Sequence, residues 1–127
     1  MKKEPKFFVC KHCGNVVTFI NESGAPLVCC GEKMTQIVPN TTEAATEKHL
    51  PVVVVDGSKV SVTVGSVEHP MTPEHYIQWI YLETDKGFQF KYLTPEDKPT
   101  AVFAVEGEQP VAAYEFCNLH GLWKTTI

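Results

Sequence analysis

Beyond about residue 50, apolar and polar positions follow a strand pattern, and nowhere does a long helical periodicity develop. Residues 52–55 and 60–64 are valine-rich and flank Asp56-Gly57-Ser58, a hairpin turn. Residues 76–83 and 88–93 flank Thr84-Asp85-Lys86-Gly87, and Phe88, Phe90 and Tyr92 alternate onto one face. Residues 100–105, 111–116 and 122–127 complete the series. About seven short strands with regular turn signals predict an all-β domain, a Greek-key β-sandwich of the immunoglobulin type. Tyr76, Trp79, Tyr81, Phe88, Phe90, Phe116 and Trp123 are the expected aromatic core.

The N-terminal third reads differently. Residues 7–9, 16–20 and 34–38 are short strand candidates, with Asn21-Glu22-Ser23-Gly24 as a turn. The stretch from Pro39 to Thr46 lacks apolar periodicity and has room for one helical turn. The expected organisation is a small module over residues 1–37, a linker over 38–46 and a sandwich domain over 47–127. A module this short falls below the length of about 40 residues at which a chain folds on its core alone. It needs a cross-link.

Composition narrows the possibilities. The chain has 127 residues, 43% hydrophobic and 20% charged, an ordinary globular balance. No apolar run approaches the roughly 20 residues of a membrane span, and no signal-peptide h-region follows Met1-Lys2-Lys3, so a cytoplasmic protein is expected. The formal net charge is −4 and all basic residues are lysines. An acidic chain without arginine is a poor ligand for nucleic acid. It also repels anions at long range, so an anionic substrate needs local positive charge.

Five cysteines in a reducing compartment point to metal or catalysis rather than to disulfides. In Cys10-Lys11-His12-Cys13-Gly14 two thiolates converge on one ion, and Gly14 lets the chain turn around it. Cys29-Cys30-Gly31 has no spacer. Neighbouring side chains on extended backbone diverge, so both cysteines reach one ion only through a sharp bend, which Gly31 permits. Cys10, Cys13, Cys29 and Cys30 therefore define a distorted S₄ tetrahedron for zinc or iron. His12 reads as an exposed bystander.

His69-Pro70-Met71-Thr72-Pro73-Glu74-His75 is a stiff loop with an imidazole at each end. Cys117-Asn118-Leu119-His120-Gly121 pairs a thiol and an imidazole at metal-ligand spacing, and His49 opens the second domain. All five lie in loops or at strand ends, where a sandwich gathers distant residues. Glu115 shares a strand face with Cys117 and reads as an exposed glutamate.

These segments resemble the desulfoferrodoxins, the two-iron form of superoxide reductase. Glu47-Lys48-His49, His69-Pro70-Met71 through His75, and Cys117-Asn118-Leu119-His120-Gly121-Leu122-Trp123 match that family's signatures in order, and the four-cysteine module resembles its desulforedoxin-like N-terminal domain. The resemblance implies one iron at Cys10, Cys13, Cys29 and Cys30. It implies a second, catalytic iron held by His49, His69, His75 and His120 with Cys117 as axial ligand, one coordination position staying open for superoxide. It further implies that Lys48 draws in the anion and organises its protonation, that Glu47 covers the open position afterwards, that a rubredoxin-type protein supplies electrons, and that the chain is a homodimer. Two other readings remain at this level: a rubredoxin-like electron carrier without catalytic activity, and a zinc-stabilised binding module.

Overall fold

The structure, a computed structural model, describes residues 4–127. Met1, Lys2 and Lys3, with which the expected N-terminal module begins, lie outside the described residues. The chain divides into two compact units, Met1–Val38 and Pro39–Ile127.

In the first unit β1 (Phe7–Val9) pairs antiparallel with β2 (Val16–Thr18). A two-residue hairpin follows, β3 (Val28–Cys29) and β4 (Glu32–Lys33), which the sequence pattern does not announce. β5 (Thr35–Ile37) then returns to the free side of β1. Phe7 and Cys10 are the buried side chains of this unit among the described residues. One phenylalanine is too little apolar surface to offset the ordering of a chain this long.

The second unit opens with segment 39–45, which has no regular structure but is anchored. Asn40 takes a left-handed backbone conformation (φ 64°). Its side chain accepts from Lys124 N–H (2.8 Å) and donates to Lys124 O (3.1 Å). The single helical turn α1 (Thr46–His49) follows. Seven strands complete the unit: β6 (Pro51–Asp56), β7 (Lys59–Val64), β8 (Ile77–Thr84), β9 (Gly87–Tyr92), β10 (Thr100–Ala104), β11 (Pro110–Cys117) and β12 (Gly121–Thr126). They form a three-stranded sheet, β10-β7-β6, and a four-stranded one, β12-β11-β8-β9. The chain crosses from β9 to β10 between sheets, which makes the Greek-key sandwich that the turn spacing predicts.

Alternation decides what fills it. Val60, Val62 and Val64 of β7, Ala101 and Phe103 of β10, Ile80 and Leu82 of β8, and Ala113 and Cys117 of β11 form one buried cluster. Of the expected aromatic core, Trp79, Tyr81 and Trp123 are buried but lie outside this cluster. Trp79 and Tyr81 alternate with Ile80 and Leu82, so they point to the opposite face of the four-stranded sheet. There Trp79 stacks on Phe116 (5.5 Å, 6°) and Tyr81 on Phe88 (4.7 Å, 13°). Branched aliphatic residues fill the narrow space between the sheets.

Strand β10 ends one sheet and β9 ends the other, and side chains close the seam between them. Gln89 Nε2 donates to Ala104 O and Lys91 Nζ to Val102 O, both at 2.6 Å. Carbonyls that would otherwise invite another strand are thereby occupied. Replacing Gln89 and Lys91 by alanine should cost about 1 kcal/mol per lost bond. Urea unfolding would show this as a lower midpoint with an unchanged slope, and amide exchange should rise along β10.

Candidate metal centres

The first centre lies where the β1–β2 connection meets the β3–β4 hairpin. Gly14 (φ 83°) turns the first cysteine loop, and in the second both Cys30 (φ 54°) and Gly31 (φ 75°) are left-handed. The sharp bend expected of adjacent ligands thus begins in the cysteine itself. Cys13 Sγ and Cys29 Sγ are 3.6 Å apart, and Cys29 Sγ and Cys30 Sγ 4.0 Å. Disulfides need about 2.05 Å, whereas a tetrahedron with metal–sulfur bonds of about 2.3 Å has edges of about 3.8 Å. The four donor atoms fit one ion. The Cys13 N–H draws the Cys10 thiol down to about 6, while the crowding thiols, Cys13 foremost, push Cys30 up to about 12. Four thiolates packed this closely repel one another unless a cation lies among them. His12 is exposed but tethered: its ring contacts the carboxylate of Glu32, linking the two cysteine loops.

The second centre draws on four separate segments. His49 ends α1, and His69 follows β7 after a four-residue loop. His75 precedes β8, and Cys117 and His120 bracket the β11–β12 turn. Each segment is fixed by main-chain bonds. His69 N–H donates to Val64 O (3.0 Å), and Thr72 and His75 exchange backbone bonds at 3.0 and 3.1 Å. Asn118 ties the two halves of the site, its side chain accepting from Tyr76 N–H and donating to Glu74 O, both at 2.9 Å.

The rings frame a square. Centroids of His49–His69, His69–His75, His75–His120 and His120–His49 lie 4.7, 4.6, 5.1 and 4.9 Å apart, each pair near perpendicular. The diagonal pair His49 and His75 lies at 6.5 Å with nearly parallel rings. Cys117 Sγ lies 3.5 Å from His69 Nε2 and 3.9 Å from His120 Nδ1. The donor atoms of His49, His69, His75 and Cys117 all fall within 4.8 Å of one another. His120 joins through Nδ1, 3.1 Å from His49 Nε2.

Hydrogen bonds settle which nitrogens carry protons. Nδ1–H of His49 donates to Ala45 O and Nδ1–H of His69 to Pro70 O, both at 2.7 Å. Each Nε2 is therefore a lone pair, and the two face each other at 3.2 Å. His75 Nε2 is buried without a hydrogen-bond partner. Burial holds His69 down to about 4 and lowers His49 and His75 as well. Neutral imidazoles aimed lone pair to lone pair are a metal-ligand arrangement, and the residues fit a bound cation. Burial pushes the Cys117 thiol up, against the N–H groups of Leu119 and His120; a cation is needed to hold it as thiolate.

Other residues surround this centre. Trp123 stacks on His49 (5.0 Å, 29°), and its Nε1–H donates to His120 O (3.1 Å). Glu115, read as exposed, is fully buried, and neither carboxylate oxygen has a hydrogen-bond partner. Burial pushes its pKa well up. The charge of Lys48 is felt at His49 and His75. Glu47 is exposed and lines a cleft of about 620 Å³ with Leu50, Pro51, Val52 and Val53.

A four-cysteine β module followed by a β-sandwich gathering four imidazoles and a thiol defines a metalloprotein with two separate, non-haem centres. The family model described as desulfoferrodoxin matches residues 41–126, and that described as desulfoferrodoxin, N-terminal domain, matches residues 3–37. The desulfoferrodoxin of Nitratidesulfovibrio vulgaris is 44% identical over 124 residues, 98% of each chain. The crystal structure of the superoxide reductase from Treponema pallidum is 43% identical, covering 98% of this chain and 100% of that one, with a TM-score of 0.82. The superoxide reductase (1Fe-SOR) from Giardia intestinalis is 30% identical, covering 65% of this chain and 98% of that one, with a TM-score of 0.56. The chain belongs to the desulfoferrodoxin family, and its two ligand sets are those of two iron centres.

Two outcomes follow for the centres. Cys30→Ser should release the metal of the first unit and unfold it while the sandwich persists, seen as loss of that centre's absorption with an unchanged main unfolding transition. In metal-free protein the unfolded chain protonates His69 near 6.5 and the folded chain only near 4. Stability should therefore fall as pH drops through that window and level off below it. Chemical denaturation at several pH values would show the slope.

Proposed function

We propose that this protein is a superoxide reductase: superoxide, one electron and two protons give hydrogen peroxide. The observation that carries the reading is the buried square of neutral imidazoles with the Cys117 thiol among them. Iron held there by His49, His69, His75, His120 and Cys117 would supply a one-electron donor able to bind a small anion.

This chain's residues do the rest. His49, His69, His75 and His120 hold their lone pairs inward, and carbonyl acceptors prevent the His49 and His69 rings from turning. Cys117, fully buried, provides the negative donor on the side closed to solvent. His75 and His120 are half-buried and border water. Lys48 gives the local positive field that an acidic chain otherwise denies an anion, and it orders water that delivers protons. Glu47 supplies the carboxylate that covers the site after turnover, as the resemblance implies.

In this reading residues 1–37 form the four-cysteine iron domain, 38–46 the linker and 47–127 the catalytic domain. The electron comes from outside, and a rubredoxin-type protein is the donor that the resemblance gives. Free cysteines at all five positions accord with a cytoplasmic setting, and a homodimer is the expected assembly. Among the described residues no helix is long and apolar enough to cross a membrane.

Cys117→Ala should abolish superoxide reduction while the four-cysteine absorption remains; full activity without the thiol would sink the assignment. Steady turnover with no added reductant would instead indicate a dismutase. Lys48→Ala should slow superoxide reduction by about tenfold or more and flatten its ionic-strength dependence, measured by pulse radiolysis across a salt series.

A further inference from the structure

Gly65, at the end of β7, is buried, and its φ lies outside the left-handed region, so what the position demands is space. A Cβ there would lie 2.5 Å from Glu47 O, 3.0 Å from Lys48 C and 3.1 Å from Leu50 O. All three are main-chain atoms of α1 and its exit, and none can rotate aside. The next two residues grip the same turn. Ser66 Oγ donates to Glu47 O at 3.2 Å and Val67 N–H at 2.9 Å. One carbonyl thus accepts two bonds, which leaves the Glu47 side chain unengaged by the clamp.

The gripping segment leads directly to a ligand. Gly65 N–H donates to Val67 O (3.3 Å) and His69 N–H to Val64 O (3.0 Å), closing a compact loop that delivers His69. The gripped turn delivers His49, whose Nδ1–H is satisfied within the same turn by Ala45 O. Two ligand segments 20 residues apart in sequence are therefore bolted together beside the point where their Nε2 atoms face each other at 3.2 Å.

We propose that Gly65 and Ser66 are positioning residues for the reaction. With the Val67 N–H they lock the Thr46–His49 backbone onto the loop carrying His69, so the two imidazoles keep one separation. A ligand pair held this way needs little rearrangement during a one-electron step. The inference rests on the superoxide reductase reading of the site.

The test uses iron-loaded, full-length protein carrying Gly65→Ala, Ser66→Ala or Ser66→Thr. The midpoint potential and visible absorption of the histidine–cysteine centre, the superoxide rate and thermal unfolding are measured together. Gly65→Ala should move that centre's potential and absorption and slow the reaction by about tenfold or more, with the four-cysteine centre unchanged. Ser66→Ala should shift the same readouts less, with a rate loss of about threefold to tenfold, the size of one hydrogen bond, and Ser66→Thr should restore them. Parent potential and absorption in both Gly65→Ala and Ser66→Ala would overturn the proposal, as would a loss confined to thermal stability. If Gly65→Ala does not fold, the Ser66 pair decides alone. A parent protein that does not reduce superoxide would defeat the functional reading, and the potential shifts would still decide the positioning claim.

Discussion

Two imidazole lone pairs facing each other at 3.2 Å, with a third unpartnered nitrogen and a buried thiol beside them, are the constraint on which the second unit turns. Protonating the rings would relieve the repulsion in water, but burial makes that costly. Turning them is blocked, because Ala45 and Pro70 hold the opposite nitrogens of His49 and His69. A cation is the remaining solution. The loops around the site hold the arrangement open for one: Asn118 bridges two of them, Trp123 covers a ring, and the Gly65–Val67 segment clamps a turn.

The sandwich makes this affordable by keeping its core independent of the site. Valine, isoleucine, leucine and Phe103 fill the space between the sheets, and of the ligands only Cys117 belongs to that cluster. The thiol is thus the one ligand with both a packing role and a chemical one, and it sits where water does not reach. Its four partners occupy the sandwich's loops and strand ends, where backbone can be shaped without disturbing the ladder.

The first unit inverts that relation. It has one buried phenylalanine and four sulfurs, so the metal is its core. Cysteine therefore does two jobs in one chain. Four of them replace a hydrophobic interior, and the fifth is placed by one.

Much of this was legible in the sequence, because local patterns fix it. Period-two alternation and turn residues gave all seven strands of the sandwich, cysteine spacing gave the first centre, and the motifs around His49, His69, His75, Cys117 and His120 gave the second. What tertiary structure alone decided has no local signature. Alternation told that Trp79 and Tyr81 share a face but not which face was inward, since the gap between the sheets selects branched aliphatics. Glu115 looked like a surface residue because the covering of its strand comes from elsewhere in the chain. Likewise the nitrogen each histidine offers, the stacking of Trp123 on His49 and the space required at Gly65 depend on contacts between segments far apart in sequence. Residue types and spacings determine which ligands exist; only packing between distant segments decides which atoms they present and how rigidly.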